Sequence, residues 1–406
     1  VNSNLYFGNK NWNEYNEAAT IYMDKGSKLE INAGNLTTSG GAETNLKLFD
    51  NAQATINLTG NFTSDAGGTA IAMENDYRNS DTSLSIQAAN ITLGTTDLET
   101  ARRKAGLYLL AYEENGDNKL SVDLSAKDTL KISGFAKGIQ TFGNALINLR
   151  GKTIIISAES DSQGKGLSLN SYDAAKPSIL KAEAENLSIK GSEYAIYAND
   201  RVDAQLNATG DINISGLNYA IYANKNTDIQ LKTGQNLNIL SDTWGIVSFD
   251  STVNAQADDA INIKGTVWTS GGNITVGKDS SILQTVINGN LTAKNNGYIA
   301  AFVNNAGSSF TGNTTDAHWQ DVNTRDAGNK GIHLTLNDGS VWNDFDYDST
   351  IQVLDTSKAK VDMQDDKFKR LSIGTLKGDK STFNMDIDAG INTNNSDRLY
   401  LSLIHI

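Results

Sequence analysis

The sequence predicts an all-β fold, a right-handed parallel β-helix of three-strand coils with a C-terminal β capping region. Three observations carry this. The stretch from Glu185 to Asp250 repeats at a spacing of 25 residues. Leu187-Ser188-Ile189, Ile212-Asn213-Ile214 and Leu237-Asn238-Ile239 fall in register, as do the blocks starting at Tyr194, Tyr219 and Trp244. A fixed period of this length marks a solenoid or propeller, whose repeats bury apolar faces only against their neighbours. Each period also holds three short alternating runs, and alternation with period two means strand. Finally, the chain contains 47 Asn and 36 Gly but a single proline, Pro177. Asn and Gly tolerate the left-handed backbone of tight corners, and Asn can stack into hydrogen-bonded ladders.

The first strand of each coil is a Leu-x-Ile pair: Leu187/Ile189, Ile212/Ile214 and Leu237/Ile239. The second is Ile196/Ala198, Ile221/Ala223 and Ile246/Ser248, and the third the looser Ala204/Leu206, Ile229/Leu231 and Val253/Ala255. Upstream, the second strand continues as Ile71/Met73, Leu107/Leu109, Ile139/Thr141 and Leu167/Leu169, each preceded by Ala or Gly as a corner requires. Intervals of 36, 32, 28 and 29 residues there imply excursions at Asn75–Asp81, Thr95–Lys104, Glu113–Lys119 and Asp161–Lys165. A leucine-rich repeat would show one dominant strand and a Leu frame, whereas three pairs recur and Ile rivals Leu. A propeller would need a longer period.

A solenoid core grows by length, so 406 residues read as one body with residues 1–315 as coils and 316–406 as a capping region. A net charge of −13 argues against a nucleic-acid partner, which would need a basic stripe. Arg102-Arg103-Lys104 reads as a solvated loop. Cysteine is absent, which suits bacterial export through an oxidising periplasm. No signal peptide and no apolar run of membrane-spanning length is present. The chain opens mid-pattern at Val1, the expectation for a fragment of something longer.

From about His318 the aromatic and acidic content rises. Gly339-Ser340-Val341-Trp342, Asp348-Ser349-Thr350-Ile351, Phe368-Lys369-Arg370-Leu371, Thr382-Phe383-Asn384-Met385 and Ser396-Asp397-Arg398-Leu399-Tyr400-Leu401 follow in order. This series resembles the stem before the membrane barrel in pertactin-like bacterial autotransporters. The resemblance implies a β-helical passenger threaded through its own outer-membrane barrel and displayed on the cell surface or released outside the cell. It also implies a C-terminal region that emerges first and templates the rest. Leu401–Ile406 continues a strand-like run and also resembles a translated adapter.

Catalysis has little to work with. His318, His333 and His405 are scattered, and no Gly-x-Ser-x-Gly occurs. Asp258-Asp259 is the nearest approach to the paired carboxylates of a glycan hydrolase, but with no basic or His companion nearby in sequence it reads as a polar corner. Asp344-Phe345-Asp346-Tyr347-Asp348, with Ile351 and Asp355, imitates a calcium loop but has Ser349 where the turn needs Gly. No metal or cofactor is expected. Sequons such as Asn57-Leu58-Thr59 and Asn186-Leu187-Ser188 arise by chance in so Asn-rich a chain. The candidate ligand-binding residues are Tyr197 and Tyr222, one period apart and opposite in parity to buried Ile196 and Ile221, with Tyr108 on an earlier coil. Stacked rings on adjacent coils can carry a sugar or a partner's side chain, or merely stabilise the rungs. Tyr194, Tyr219 and Trp244 are expected at a corner or inward.

The expected function is adhesion or cell–cell aggregation. The partner would be a host-surface or bacterial-surface protein or glycan, with self-association as one version. The alternatives are the stalk of an enzyme whose catalytic part lies upstream of Val1, and a β-helical glycan hydrolase or lyase, which the missing acid/base cluster disfavours.

Overall fold

A computed structural model of the chain describes residues 19–24, 26–39, 44–76, 79–95, 104–111, 118–159, 163–171, 176–280, 282–319, 330–343, 347–364, 368–386 and 396–405. Much of the expected excursions, including Arg102 and Arg103, lies outside these residues. The described elements are all strands, stacked in parallel as a β-solenoid of about 13 turns in all, with roughly 25 residues per turn. Contacts divide the chain into two compact units, Val1–Ile229 and Gln230–Ile406.

In the first unit the strands form three parallel stacks. One runs through Ala19–Met23, Thr44–Phe49, Thr69–Asn75, Ala105–Ala111, Lys137–Phe142, Lys165–Asn170, Tyr194–Asn199 and Tyr219–Asn224. Its inward column is Leu46, Ile71, Leu107, Ile139, Leu167, Ile196 and Ile221, each at most 1% exposed. This is the register read from the sequence, extended two coils upstream to Ile21. The other two stacks share long strands. Asp81–Gly94, Lys119–Phe135, Ala145–Ala158 and Ser178–Gly191 each turn a corner without leaving the sheet, with register shifts such as that between Ser125 and Thr129. Three faces per coil are present, but two of them are often one bent strand.

Corners obey two constraints. At Gly138 an added Cβ would lie 2.4 Å from the Ile156 methyl and 2.5 Å from the Gly166 carbonyl oxygen. Space, not a left-handed φ, requires glycine there. Elsewhere the left-handed backbone falls to Asp200 and Arg201 (φ 56° and 54°) and, one coil on, to Lys225 and Asn226 (53° and 57°). Arg and Lys hold positions where Asn or Gly is expected, and the backbone amides of the corner complete the stack whatever the side chain. Arg201 N–H donates to the Lys225 carbonyl at 2.9 Å, and Asp200 N–H to Asn224 at 3.2 Å. The expected asparagine ladders form too. Asn224 donates to Asn199 at 2.7 Å, Asn57 to Asn32 at 3.1 Å and Asn90 to Asn61 at 2.9 Å.

In the second unit parallel pairing continues through residues expected as a cap. Tyr298–Asn304 pairs with Gly331–Asn337, then Ser349–Ser357, Arg370–Asp379 and Arg398–His405 follow. Trp342 is fully buried, packs on Phe310 at 5.3 Å and donates its indole N–H to the Gly312 carbonyl at 2.9 Å. Two buried carboxylates tie segments together. Asp316 accepts the N–H groups of His318 (2.8 Å), Ile332 (2.6 Å) and Gln352 (2.9 Å). Asp397 accepts those of Lys369 (2.8 Å) and Asp386 (2.7 Å).

Three outcomes are expected from this packing. Ile196→Ala removes a fully buried side chain from the inward column and costs about 2–5 kcal/mol in chemical denaturation. Asp316→Ala strands three amides at about 1–3 kcal/mol each, lowering the midpoint of the second unit more than that of the first in hydrogen exchange. The third concerns His333, whose imidazole burial, aided by the Lys377 charge, pushes down from 6.5 to about 4. The unfolded chain takes up a proton near pH 6.5 that the fold resists until about pH 4. Stability is therefore full above pH 6.5 and falls as the pH drops through that window, by up to about 3 kcal/mol. His333→Phe flattens this part of the pH–stability curve, and melting scans across the window read it.

Candidate functional site

The outward columns of the first unit carry its most unusual side chains. Parallel register places Tyr108, Gln140, Ser168, Tyr197 and Tyr222 in one column. Beside it run Lys137, Lys165, Tyr194 and Tyr219. Tyr197 and Tyr222 stack at 5.3 Å with ring planes 3° apart, and Tyr194 and Tyr219 at 4.6 Å and 6°. The two stacks meet edge to face, with Tyr194 5.3 Å from Tyr197 and Tyr219 5.8 Å from Tyr222. The Lys165 ammonium reaches from the preceding rung over Tyr197 at 4.0 Å and Tyr194 at 5.0 Å.

This arrangement alters the expected picture in three ways. Tyr194 and Tyr219 stand at the corner, as expected, but turn outward and complete a four-ring cluster. Strict alternation would put Tyr194 on the side of Ile196, yet Ala195 and Ile196 are both fully buried. The chain folds tightly there, and a Cβ on Gly191 would sit 1.7 Å from the Tyr194 carbonyl oxygen. Tyr108 shares the column of Tyr197, but Gln140 and Ser168 occupy the two rungs between them. Its ring meets Phe142 edge-on at 6.1 Å. Within each stack the facing surfaces of the rings are turned toward one another, and one face of Tyr197 takes Lys165. What these contacts leave outward are edges and hydroxyls.

The electrostatics follow from burial. Half-buried Tyr194 and Tyr222 have phenols raised above the ordinary tyrosine range by desolvation first, then by Glu193 and the neighbouring phenols at Tyr194 and by the Tyr197 and Tyr219 phenols at Tyr222, so their hydroxyls remain neutral donors. Desolvation also lowers Lys137 and Lys165, with the Lys165 charge adding to the effect on Lys137 and Glu193 opposing it at Lys165. Neither lysine was singled out by the repeat. A signal existed: Lys137-Gly138-Ile139 and Lys165-Gly166-Leu167 align with Tyr194-Ala195-Ile196, so each lysine stands one residue before the corner position.

Other candidates have local explanations. Asp258 bonds Lys278 at 2.8 Å, and that bond with its charge holds the carboxyl below the usual range, the wrong direction for a general acid. Of the calcium-like stretch, Asp344, Phe345 and Asp346 lie outside the described residues. Asp348 accepts the Arg370 N–H at 2.9 Å and pairs with its guanidinium at 3.1 Å. Of the sequons, Asn57 donates within its ladder and Asn186 accepts the Asp211 N–H at 3.1 Å.

A scan of protein-family models, a search of curated proteins and a search of solved structures each find no match to this chain. The class of the protein is therefore given by its coils: a parallel β-solenoid.

Proposed function

We propose that the chain is an autotransporter-type passenger, displayed at the bacterial surface or released from it, that acts in adhesion or cell–cell aggregation. The observation that carries this reading is the repetition of polar side chains along outer faces. Asparagine ladders and the four-tyrosine cluster present like groups at one-rung intervals, a surface suited to many weak contacts rather than to one reaction centre. The stem-like motifs support the same reading. Trp342 and Asp397, which stand inside them, are buried members of the coil stack in the second unit, as a region that templates folding requires. Its partners are a host-surface or bacterial-surface protein or glycan, or a second copy of the chain, with its own outer-membrane barrel as the anchor.

The test is display of this chain, fused to an autotransporter barrel, on a non-adherent bacterium. Cells should settle together or bind host cells, and Tyr197→Ala with Tyr222→Ala should lower that binding by about tenfold, the equivalent of 1.4 kcal/mol. Surface immunolabelling must stay equal between the two strains. Equal display without aggregation or adhesion would sink the proposal.

A further inference from the structure

The four-tyrosine cluster sets up a reaction that a lone tyrosine cannot undergo within its own chain. Parallel register places Tyr194 against Tyr219 and Tyr197 against Tyr222, with ring centroids 4.6 and 5.3 Å apart and ring planes 6° and 3° from parallel. Among the described strands the other tyrosines face different residues in register. Tyr22 faces Lys47, Tyr108 faces Ala72 and Gln140, Tyr298 faces Asn273 and Gly331, and Tyr400 faces Ser372. The rung translation that sets one ring over the next also brings together their carbons ortho to the hydroxyl, the positions that carry unpaired spin in a tyrosyl radical. These carbons lie on the hydroxyl edge, which the stack leaves outward. The torsion of a tyrosine ring about its bond to Cβ is soft, so two such edges can tilt into contact.

Electrostatics distinguish the two pairs. The Lys165 ammonium lies 4.0 Å from the Tyr197 ring centroid and 5.0 Å from that of Tyr194. A cation over a ring holds its electrons, so Tyr197 is the harder of the two to oxidise. Glu193 acts on Tyr194 with the opposite sign, and negative charge beside a ring favours the loss of an electron from it. The closer pair, Tyr194 over Tyr219, is therefore also the one with the more favourable charges. With no cysteine in the chain, its coils cannot be tied by disulfides, and coupling between rings offers a covalent tie of another kind.

We infer that Tyr194 and Tyr219 form an oxidative cross-linking site, at which a one-electron oxidant, such as a haem peroxidase supplied with hydrogen peroxide, joins the two rings as dityrosine. Each phenol gives up one electron and its hydroxyl proton. The two radicals pair to form one carbon–carbon bond between ortho positions. The hydrogens on those two carbons then pass to the phenoxyl oxygens, which restores both aromatic rings. Hydrogen peroxide takes up the two electrons and two protons and leaves as two waters. The product ties residues 25 apart in sequence and staples two successive coils of the first unit. This is a modification of the scaffold and stands apart from the adhesive reading.

The full chain, kept dilute, is treated with a haem peroxidase and hydrogen peroxide, and its monomer is recovered under denaturing conditions and digested with trypsin. Cleavage after Lys190, Arg201 and Lys225 puts the pair on separate peptides, Gly191–Arg201 and Val202–Lys225. Dityrosine fluorescence should appear, with a joined peptide lighter than the sum of the two by two hydrogens and fragment ions that place the bond at Tyr194 and Tyr219. Tyr219→Phe keeps a ring in the stack and should abolish that bond. Oxidation in concentrated urea should scatter links over many tyrosines. The linked monomer should show a raised urea midpoint, because the closed loop lowers the entropy of the unfolded chain. Absence of the joined peptide, a bond chiefly at Tyr197 and Tyr222, links only between chains, or an equal yield of the same link in urea overturns the inference. So does a urea midpoint no higher than that of chain treated with peroxidase alone.

Discussion

Each coil must give its backbone N–H and C=O groups to the next one, in parallel and in register, and the rest of the structure follows from that. A residue then faces its counterpart one rung away, at about 4.8 Å, along the whole stack. The inward column from Leu46 to Ile221, the ladder of Asn199 and Asn224 and the rings of Tyr197 and Tyr222 are consequences of it. So are the corners. Holding Asp200 and Arg201 in the left-handed region costs about 1–2 kcal/mol per residue. The two amides that bond the next corner help to offset it, because leaving them unpaired would cost as much.

The same constraint decides what could be read in advance. Ile71, Leu107, Ile139 and Leu167 were legible because an inward column demands branched apolar residues at alternating positions, whatever the loop lengths between coils. Tyr194 was not, because alternation breaks where a strand begins at a corner and two successive residues, Ala195 and Ile196, go inside. Lys137 and Lys165 stood in plain view before Gly138 and Gly166, but uneven intervals of 28 and 29 residues drew attention to insertions rather than to shared position. The bent strands such as Lys119–Phe135 were hidden for a related reason. A corner that keeps its hydrogen bonds needs no turn residue to announce it.

The second unit shows where local pattern carries least. Asp316 serves main-chain groups at 318, 332 and 352, and Asp397 serves those at 369 and 386. Backbone donors have no side-chain identity, so nothing in the sequence marks them as partners. The space around them is specific nonetheless. Gly331 has φ 74°, and a Cβ there would lie 2.5 Å from the Asp316 carboxylate. The Ser396-Asp397-Arg398-Leu399 motif thereby acquires a physical reason: its aspartate fastens the final described strand through the amides of earlier segments.

Like-on-like stacking is favourable only for some residues. Isoleucine packs on isoleucine, asparagine both donates and accepts, and tyrosine rings stack with little cost. Lysine on lysine gains nothing, and the protein mostly avoids it by alternating sign. Arg150 faces Glu183 in register, and Lys225 lies against Asp200. Lys137 over Lys165 departs from that rule, and the rings of Tyr194 and Tyr197 beneath the Lys165 ammonium offset part of the repulsion. The tyrosine rows serve the scaffold through their stacked faces and leave edges and hydroxyls outward for contacts beyond it.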